Sequence, residues 1–267
     1  MYTRIWTTAV ILILLTLALA GCGLLQAPEE ASGPIEAVPL VVDVTPATPI
    51  EAAAGAPEPA TPEAEEAPVQ ETAVQEASAE EAADAPAGGL VIYTISQDAS
   101  QVRFELDEDL RGQRITVVGV TDQVAGELAV DLDDLSTVQV GVLQINARTL
   151  VTDNDFRNRA IQNQILNTSA YEFITFTPTA VSGLPSGAAV GEEIRFQIEG
   201  DLTIRDVTQP VVFEVTATAV SPTQIVGSAT AVIERDLFGL RIPSVPSVAN
   251  VEEEIELIID FVANAAT

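Results

Sequence analysis

From Leu90 onward, apolar and polar side chains alternate, and a period of two admits one kind of structure. Successive side chains of an extended chain point to opposite faces. Such alternation therefore means strands with one face on a core and one in water. Leu128, Val130 and Leu132 alternate with Glu127, Ala129 and Asp131. Ile194, Phe196 and Ile198 do the same, as do Val211, Phe213 and Val215, and then Ile255, Leu257, Ile259 and Phe261. Strands are predicted near 91–96, 101–107, 115–121, 124–131, 136–147, 171–181, 192–204, 210–220, 224–235 and 252–263. At Gly141 the apolar phase moves from even to odd positions, which predicts a bulge or a bend. One segment departs from period two. Phe156, Ala160, Ile161 and Ile165 recur at helical spacing behind Thr152-Asp153-Asn154-Asp155, which reads as a capping box, so one helix is expected over 153–166. Eight or more long amphipathic strands leave an edge problem that closure into a barrel removes. The expected class is all-β, a barrel or sandwich of about eight antiparallel strands with one short helix and an apolar interior.

The N-terminal third is built otherwise. Met1–Arg4 is a weakly positive start, and Ile5–Ala20 is almost wholly apolar and ends in Leu19-Ala20-Gly21-Cys22. This is the pattern of a secretory leader over 1–21, a little short for a transmembrane helix of about 20 residues. The alternative is an uncleaved membrane anchor. Residues 23–89 then hold 18 Ala, 10 Pro and 14 acidic residues, with no basic or aromatic one. A stretch so poor in apolar bulk is expected to be disordered, so 22–89 reads as an acidic linker ahead of a domain at 90–267.

Charge and composition exclude several functions. The net charge is -29, with 40 acidic residues against 11 basic ones, all Arg. So acidic a chain repels nucleic acid, whose binding needs cations on phosphates. It has no His and no Lys, which rules out Ser-His-Asp and Cys-His catalysis, His-ligated metal and Schiff-base chemistry. The single Cys cannot close an internal disulfide. Asp153-Asn154-Asp155 and Asp131-Asp133-Asp134 lack the Gly and distant Glu of a calcium loop, so no metal site and no catalytic residue is assigned.

Several motifs, in order, resemble one family. Tyr93-Thr94-Ile95 with Ser100-Gln101-Val102-Arg103-Phe104 is similar to its first hairpin. Thr152–Arg157 with Tyr171–Phe176 is similar to its helix and following strand. Gly200–Ile204 with Val207–Val211 is similar to its central hairpin, and Glu234–Leu240 to its late Arg-x-x-Phe-Gly turn. Over about 90–264 the chain resembles the YceI-like, polyisoprenoid-binding, lipocalin-like proteins. The tetrad ending in Cys22 likewise resembles the bacterial lipoprotein signal, which implies cleavage before Cys22 and lipid attachment to its thiol. The chain departs from the family at Ala99, where His is usual, at Arg157-Asn158, where Arg-Asp is, at Phe173, where Pro is, and at Arg205-Asp206, where His-Gly is.

The resemblance implies an extended antiparallel barrel with a long apolar pore for an isoprenoid or other long-chain lipid, and no cofactor. The inward-facing residues then become the expected lining. On the early strands these are Phe104, Leu128, Val130, Val140 and Phe176. On the later ones they are Phe196, Ile198, Phe213, Val215, Ile233, Phe238, Leu257 and Ile259. Arg157 and Arg235 match family motifs and are expected at a headgroup or in a structural ion pair. The whole reads as an envelope lipoprotein, held to a membrane through Cys22 and facing the periplasm or exterior, with pairing of two copies left open. A packed barrel serving as a structural or stress-related module, with no ligand, is the alternative.

Overall fold

Period two becomes thirteen strands in a computed structural model that describes residues 27–42 and 89–266. They are β1 (Val91–Ile95), β2 (Gln101–Leu110), β3 (Gln113–Thr121), β4 (Val124–Ala125), β5 (Glu127–Val130), β6 (Gln139–Val140) and β7 (Leu143–Asn146). Helix α1 (Asp155–Ala160) follows, then β8 (Phe173–Ser182), β9 (Glu193–Ile204), β10 (Val207–Ser221), β11 (Gln224–Glu234), β12 (Val248–Ala249) and β13 (Glu254–Ala265). Every strand pair is antiparallel, in one sheet running β4-β7-β8-β9-β10-β11-β13-β1-β5-β6. β2 pairs with β3, β12 and the first half of β13. The ends of this path are joined by chain and not by pairing: β4 runs into β5 through Gly126, and β6 into β7 through Gly141-Val142. The sheet therefore curls into a half-barrel of lipocalin-like form, as the alternation predicts.

The predicted strand at 136–147 is divided. Leu135–Thr137 is a short 3-10 turn capped by Asp134, and the ladder breaks between Val140 and Leu143. At the break the Gly141 N–H bonds to the Glu127 carbonyl instead (2.8 Å). A Cβ there would stand 2.9 Å from that oxygen, so glycine is what lets the strand change phase. The bulge absorbs the even-to-odd shift read in the sequence.

The helix differs in detail from its expectation. The cap is Asn154, whose side chain accepts from the N–H groups of Phe156 and Arg157, and not Thr152. Thr152 instead gives its N–H and hydroxyl to the Asn158 side chain (both 2.7 Å). After Ala160 the helix widens into a π turn over Ile161–Ile165, with the Leu166 N–H reaching back to Ile161. Among the described residues, the one ladder contact of strand β3 beyond its pairing with β2 is the Val120–Val151 bridge, and this helical segment fills the gap the sheet leaves there.

Residues 27–42 contradict the expectation of disorder throughout 22–89. This stretch is a strap lying along the barrel. Arg148 pairs with Glu29 (3.0 Å) and donates to the Glu30 carbonyl (3.0 Å). The Ser32 N–H donates to Glu172 (2.8 Å), Gln97 donates to the Ile35 carbonyl (2.6 Å), and the Leu40 N–H donates to Glu127 (2.7 Å). Ile35 is buried. Averaging over 23–89 hid these anchors, because 27–42 carries only Glu29, Glu30 and Glu36 among the 14 acids, beside the apolar run Val38-Pro39-Leu40-Val41-Val42. The remainder of the expected linker, 22–26 and 43–88, lies outside the described residues.

The strap should respond to acid. Burial works to raise the Glu172 carboxyl, but hydrogen bonds from Ser32 and Asn146 and the charge of Arg148 outweigh it and hold it below its ordinary 4.5. A carboxyl held low stabilises the docked state above its unfolded value, and that contribution is lost as pH falls through the folded one. Amides of 27–42 should therefore be protected from hydrogen exchange at pH 7 and lose protection below about pH 4.5, before the strands do. Glu172→Gln should release the strap already at pH 7; unchanged protection in that variant would refute the linkage.

Candidate functional site

The apolar faces of the strands do not meet along the whole barrel, and two chambers remain. The larger is about 520 Å³ and the smaller about 120 Å³. They share no lining residue. Between them the barrel is filled. On β9, Leu202 is buried between Ile198 of the smaller chamber and Ile204 of the larger. On β11, Ala231 stands likewise between Ala229 and Ile233. Phe176 meets Phe213 edge to face, ring centroids 4.9 Å apart, on the smaller chamber's side of this waist. The interior is thus divided, where the resemblance implied one long pore.

Of the expected lining, Phe104, Ile233 and Leu257 face the larger chamber. Leu128, Val130, Val140, Phe176, Phe196 and Ile198 face the smaller one, with Phe213, Val215 and Ile259. Phe238 faces neither. Strand β11 ends at Glu234, and the 3-10 turn Arg235–Phe238 rotates that ring into the solid core, where it is buried. Room for the rings comes from glycines on neighbouring strands. A Cβ at Gly119 would stand 2.1 Å from the Phe104 ring, and one at Gly200 2.6 Å from the Phe176 ring. The two rings thus occupy the room that a side chain on the neighbouring strand would take.

Both named arginines lie at the larger chamber. Arg157 bonds Glu108 at 3.0 Å and also pairs with Asp153. Glu108 is buried, on the same face of β2 as Phe104, Leu106 and Leu110. A lone carboxylate in that apolar row would cost several kcal/mol, and Arg157 offsets the charge while tying α1 to β2. Arg235 pairs with Glu253 and donates to the carbonyls of Glu252 (3.1 Å) and Leu240 (3.3 Å). Both guanidiniums are therefore already partnered and serve first as braces of the opening.

Sequence reading passed over part of this site. Glu108 keeps phase with Phe104 and Leu106, so a charge on an apolar face was visible. Phe156, Ile161 and Ile165 line the chamber from the helical segment whose spacing was recognised. Ile242, Pro243 and Val245 line it from a segment without periodicity and gave no signal. Of the sites where family histidines are replaced, one lies away from the chamber and one beside it, next to the lining residue Ile204. Ala99 is exposed, and Arg205, in the β9–β10 turn, donates to the Ile165 carbonyl at 3.1 Å. The acidic triplet at 131–134 serves turns: Asp131 accepts from the Asp133 N–H and Asp134 from that of Ser136.

Three comparisons bear on this geometry. The family model described as "YceI-like domain" matches residues 93–263. A polyisoprenoid binding domain from Saccharophagus degradans, implicated in plant cell wall breakdown, superposes with a TM-score of 0.53 at 16% identity, over 66% of this chain and 99% of that one. BcnA of Burkholderia cenocepacia gives 0.51 at 16% identity, over 65% and 99%. At that identity the likeness concerns the fold. No curated protein matches the chain.

Proposed function

Since this chain belongs to the YceI-like domain family, we propose that its half-barrel is a lipid-binding module that takes a long apolar chain, of the polyisoprenoid kind, into the larger chamber. The observation that carries the reading is the chamber itself. Its volume of about 520 Å³ lies within the range of about 300–1,000 Å³ usual for small-molecule sites. Its wall is mostly aliphatic and aromatic, with the Glu108–Arg157 pair, Arg235, Arg111, Asn154 and Ser247 as the polar contrast. Burial of apolar area, at about 25 cal/mol per Å², would drive binding. A polyisoprenoid binding domain is among the structures that share the fold, which supports a chain of this class. The alternative of a packed structural core is disfavoured by a void of this size. We assign no catalytic step.

The test is native mass spectrometry of the intact protein, with organic extraction of what it carries. A non-covalent adduct in the mass range of long-chain lipids is expected. Protein that carries none, and takes up none when offered a polyprenol, would refute the reading.

We further propose that the chain is a lipoprotein anchored at Cys22 and facing the periplasm or exterior. Leader and cysteine lie outside the described residues, and the support is the order of charge, apolar run and Leu19-Ala20-Gly21-Cys22. Several acyl chains, at about 0.8 kcal/mol per buried CH₂, would hold it stably on a bilayer. Cells fed labelled palmitate should label the native chain and leave Cys22→Ser unlabelled; equal labelling would exclude this anchor.

A further inference from the structure

Two kinds of side chain that proteins seldom leave without partners gather around the opening of the larger chamber. The first kind is large and apolar. Phe156, in the chamber wall, is 71% exposed, and Leu237, in the turn that carries Arg235, is 55% exposed. Val245, also in the wall, and Val151, next to the lining residue Leu150, are exposed as well. The second kind is cationic. Ten arginines lie among the described residues, and seven pair with a carboxylate. The other three are Arg111, Arg159 and Arg241. Arg111 lines the opening. Arg159 stacks on the Phe156 ring at 5.8 Å. Arg241 is exposed between Leu240 and Ile242, both of which line the chamber. In a chain with 40 acids for 11 arginines, cations without a carboxylate among the described residues are scarce, and all three are here.

The strap points the same way. Its first contacts, from Glu29 and Glu30, are on Arg148, two residues before Leu150 of the chamber wall. Gln162 of the helical wall holds the carbonyls of both Arg148 and Leu150. Cys22 precedes Ala27 by five residues, a reach of at most about 18 Å at ~3.6 Å per residue. Strand β10 runs its 15 residues from beside this opening to the far end, about 50 Å at ~3.3 Å each. An anchor at Cys22 therefore keeps this end of the barrel near the bilayer, and a 67-residue spacer does not intervene.

We propose that the rim formed by Phe156, Leu237, Arg111, Arg159 and Arg241 seats on the surface of the membrane that anchors the chain. The apolar side chains enter the interface, the free guanidiniums meet lipid phosphates, and the chamber opens toward the acyl region. A lipid then passes into the barrel without crossing water. This inference rests on the anchored, lipid-binding reading above.

The leader supplies the only Trp of the chain, Trp6, so the processed protein is free of tryptophan and single-Trp variants report one site each. The acylated full chain carrying Phe156→Trp, Leu237→Trp or Val220→Trp is reconstituted into phosphatidylethanolamine–phosphatidylglycerol vesicles with nitroxide-labelled lipid. Val220 is exposed near the far end of β10. Phe156→Trp and Leu237→Trp should lose most of their emission to the nitroxide, and Val220→Trp should keep its own. Adding Arg111→Glu and Arg241→Glu to Phe156→Trp should restore emission while the protein still floats with the vesicles. Equal quenching at all three positions, or quenching that ignores the charge reversals, overturns the proposal. So does a concentration-dependent blue shift of Phe156→Trp without vesicles, which would mean that a second copy covers the rim. Protein that does not float refutes the anchor, a failure separate from that of the rim; lipid content of the same sample reports on the chamber independently.

Discussion

Leu257→Trp should weaken long-chain lipid binding about a thousandfold while leaving the barrel folded. Leu257 borders the larger chamber and is half-buried, so an indole there has open space to extend into. The space it takes is space a ligand would fill. Excluding one isoprene unit, about five carbons, removes roughly 4 kcal/mol at ~0.8 kcal/mol per buried CH₂, or about three orders of magnitude in Kd. Titration with a fluorescent polyprenol measures the loss, and the thermal midpoint should hold or rise, because a void has been filled. Leu128→Trp makes the same change in the smaller chamber and should affect binding far less. Equal effects from the two would mean that the ligand occupies both chambers and that the waist opens.

The second large effect is on stability. Arg157→Ala should destabilise the barrel by about 3–5 kcal/mol, the range found when one partner of a buried pair is removed. The exposures set this magnitude. The Glu108 side chain is 7% exposed and that of Arg157 is 16% exposed, so the abandoned carboxylate has little water to turn to. The second partner, Asp153, is 82% exposed and adds little. The thermal midpoint should fall by roughly 10 °C for a domain of this size. Replacing both partners, Glu108→Leu with Arg157→Leu, should recover most of the loss, because no charge is then stranded. A single variant as stable as the native protein would show that the pair is solvated in solution.

How much of this could be read from the chain follows from what periodicity encodes. It encodes which way a side chain points, and so the strands, the phase change at Gly141 and the faces of β5, β9 and β10 were legible. It does not encode what a side chain meets. Whether Leu202 closes the barrel while Leu257 borders a void depends on how inward residues from several strands stack at each level, and that is a property of the curled sheet. Phe238 was misplaced for a related reason: the alternation that ends at Glu234 says nothing of the turn after it. The strap was missed because composition averaged over a long window hides two anchors such as Ile35 and Leu40. Glu108 is the opposite case. Its phase marked it as an acid on an apolar face, and only the question of its partner needed the fold.

The filled waist has a kinetic consequence. If the chamber takes a long chain as proposed, a divided barrel would measure its length: a chain longer than the larger chamber would keep its remainder outside. A carrier that encloses its cargo must release it through water, at a rate set by desorption. One that holds only part of a chain can pass it by sliding, with the free portion already in the acceptor. Leu202, Ala231 and the Phe176–Phe213 pair would then decide whether this protein stores its ligand or hands it on.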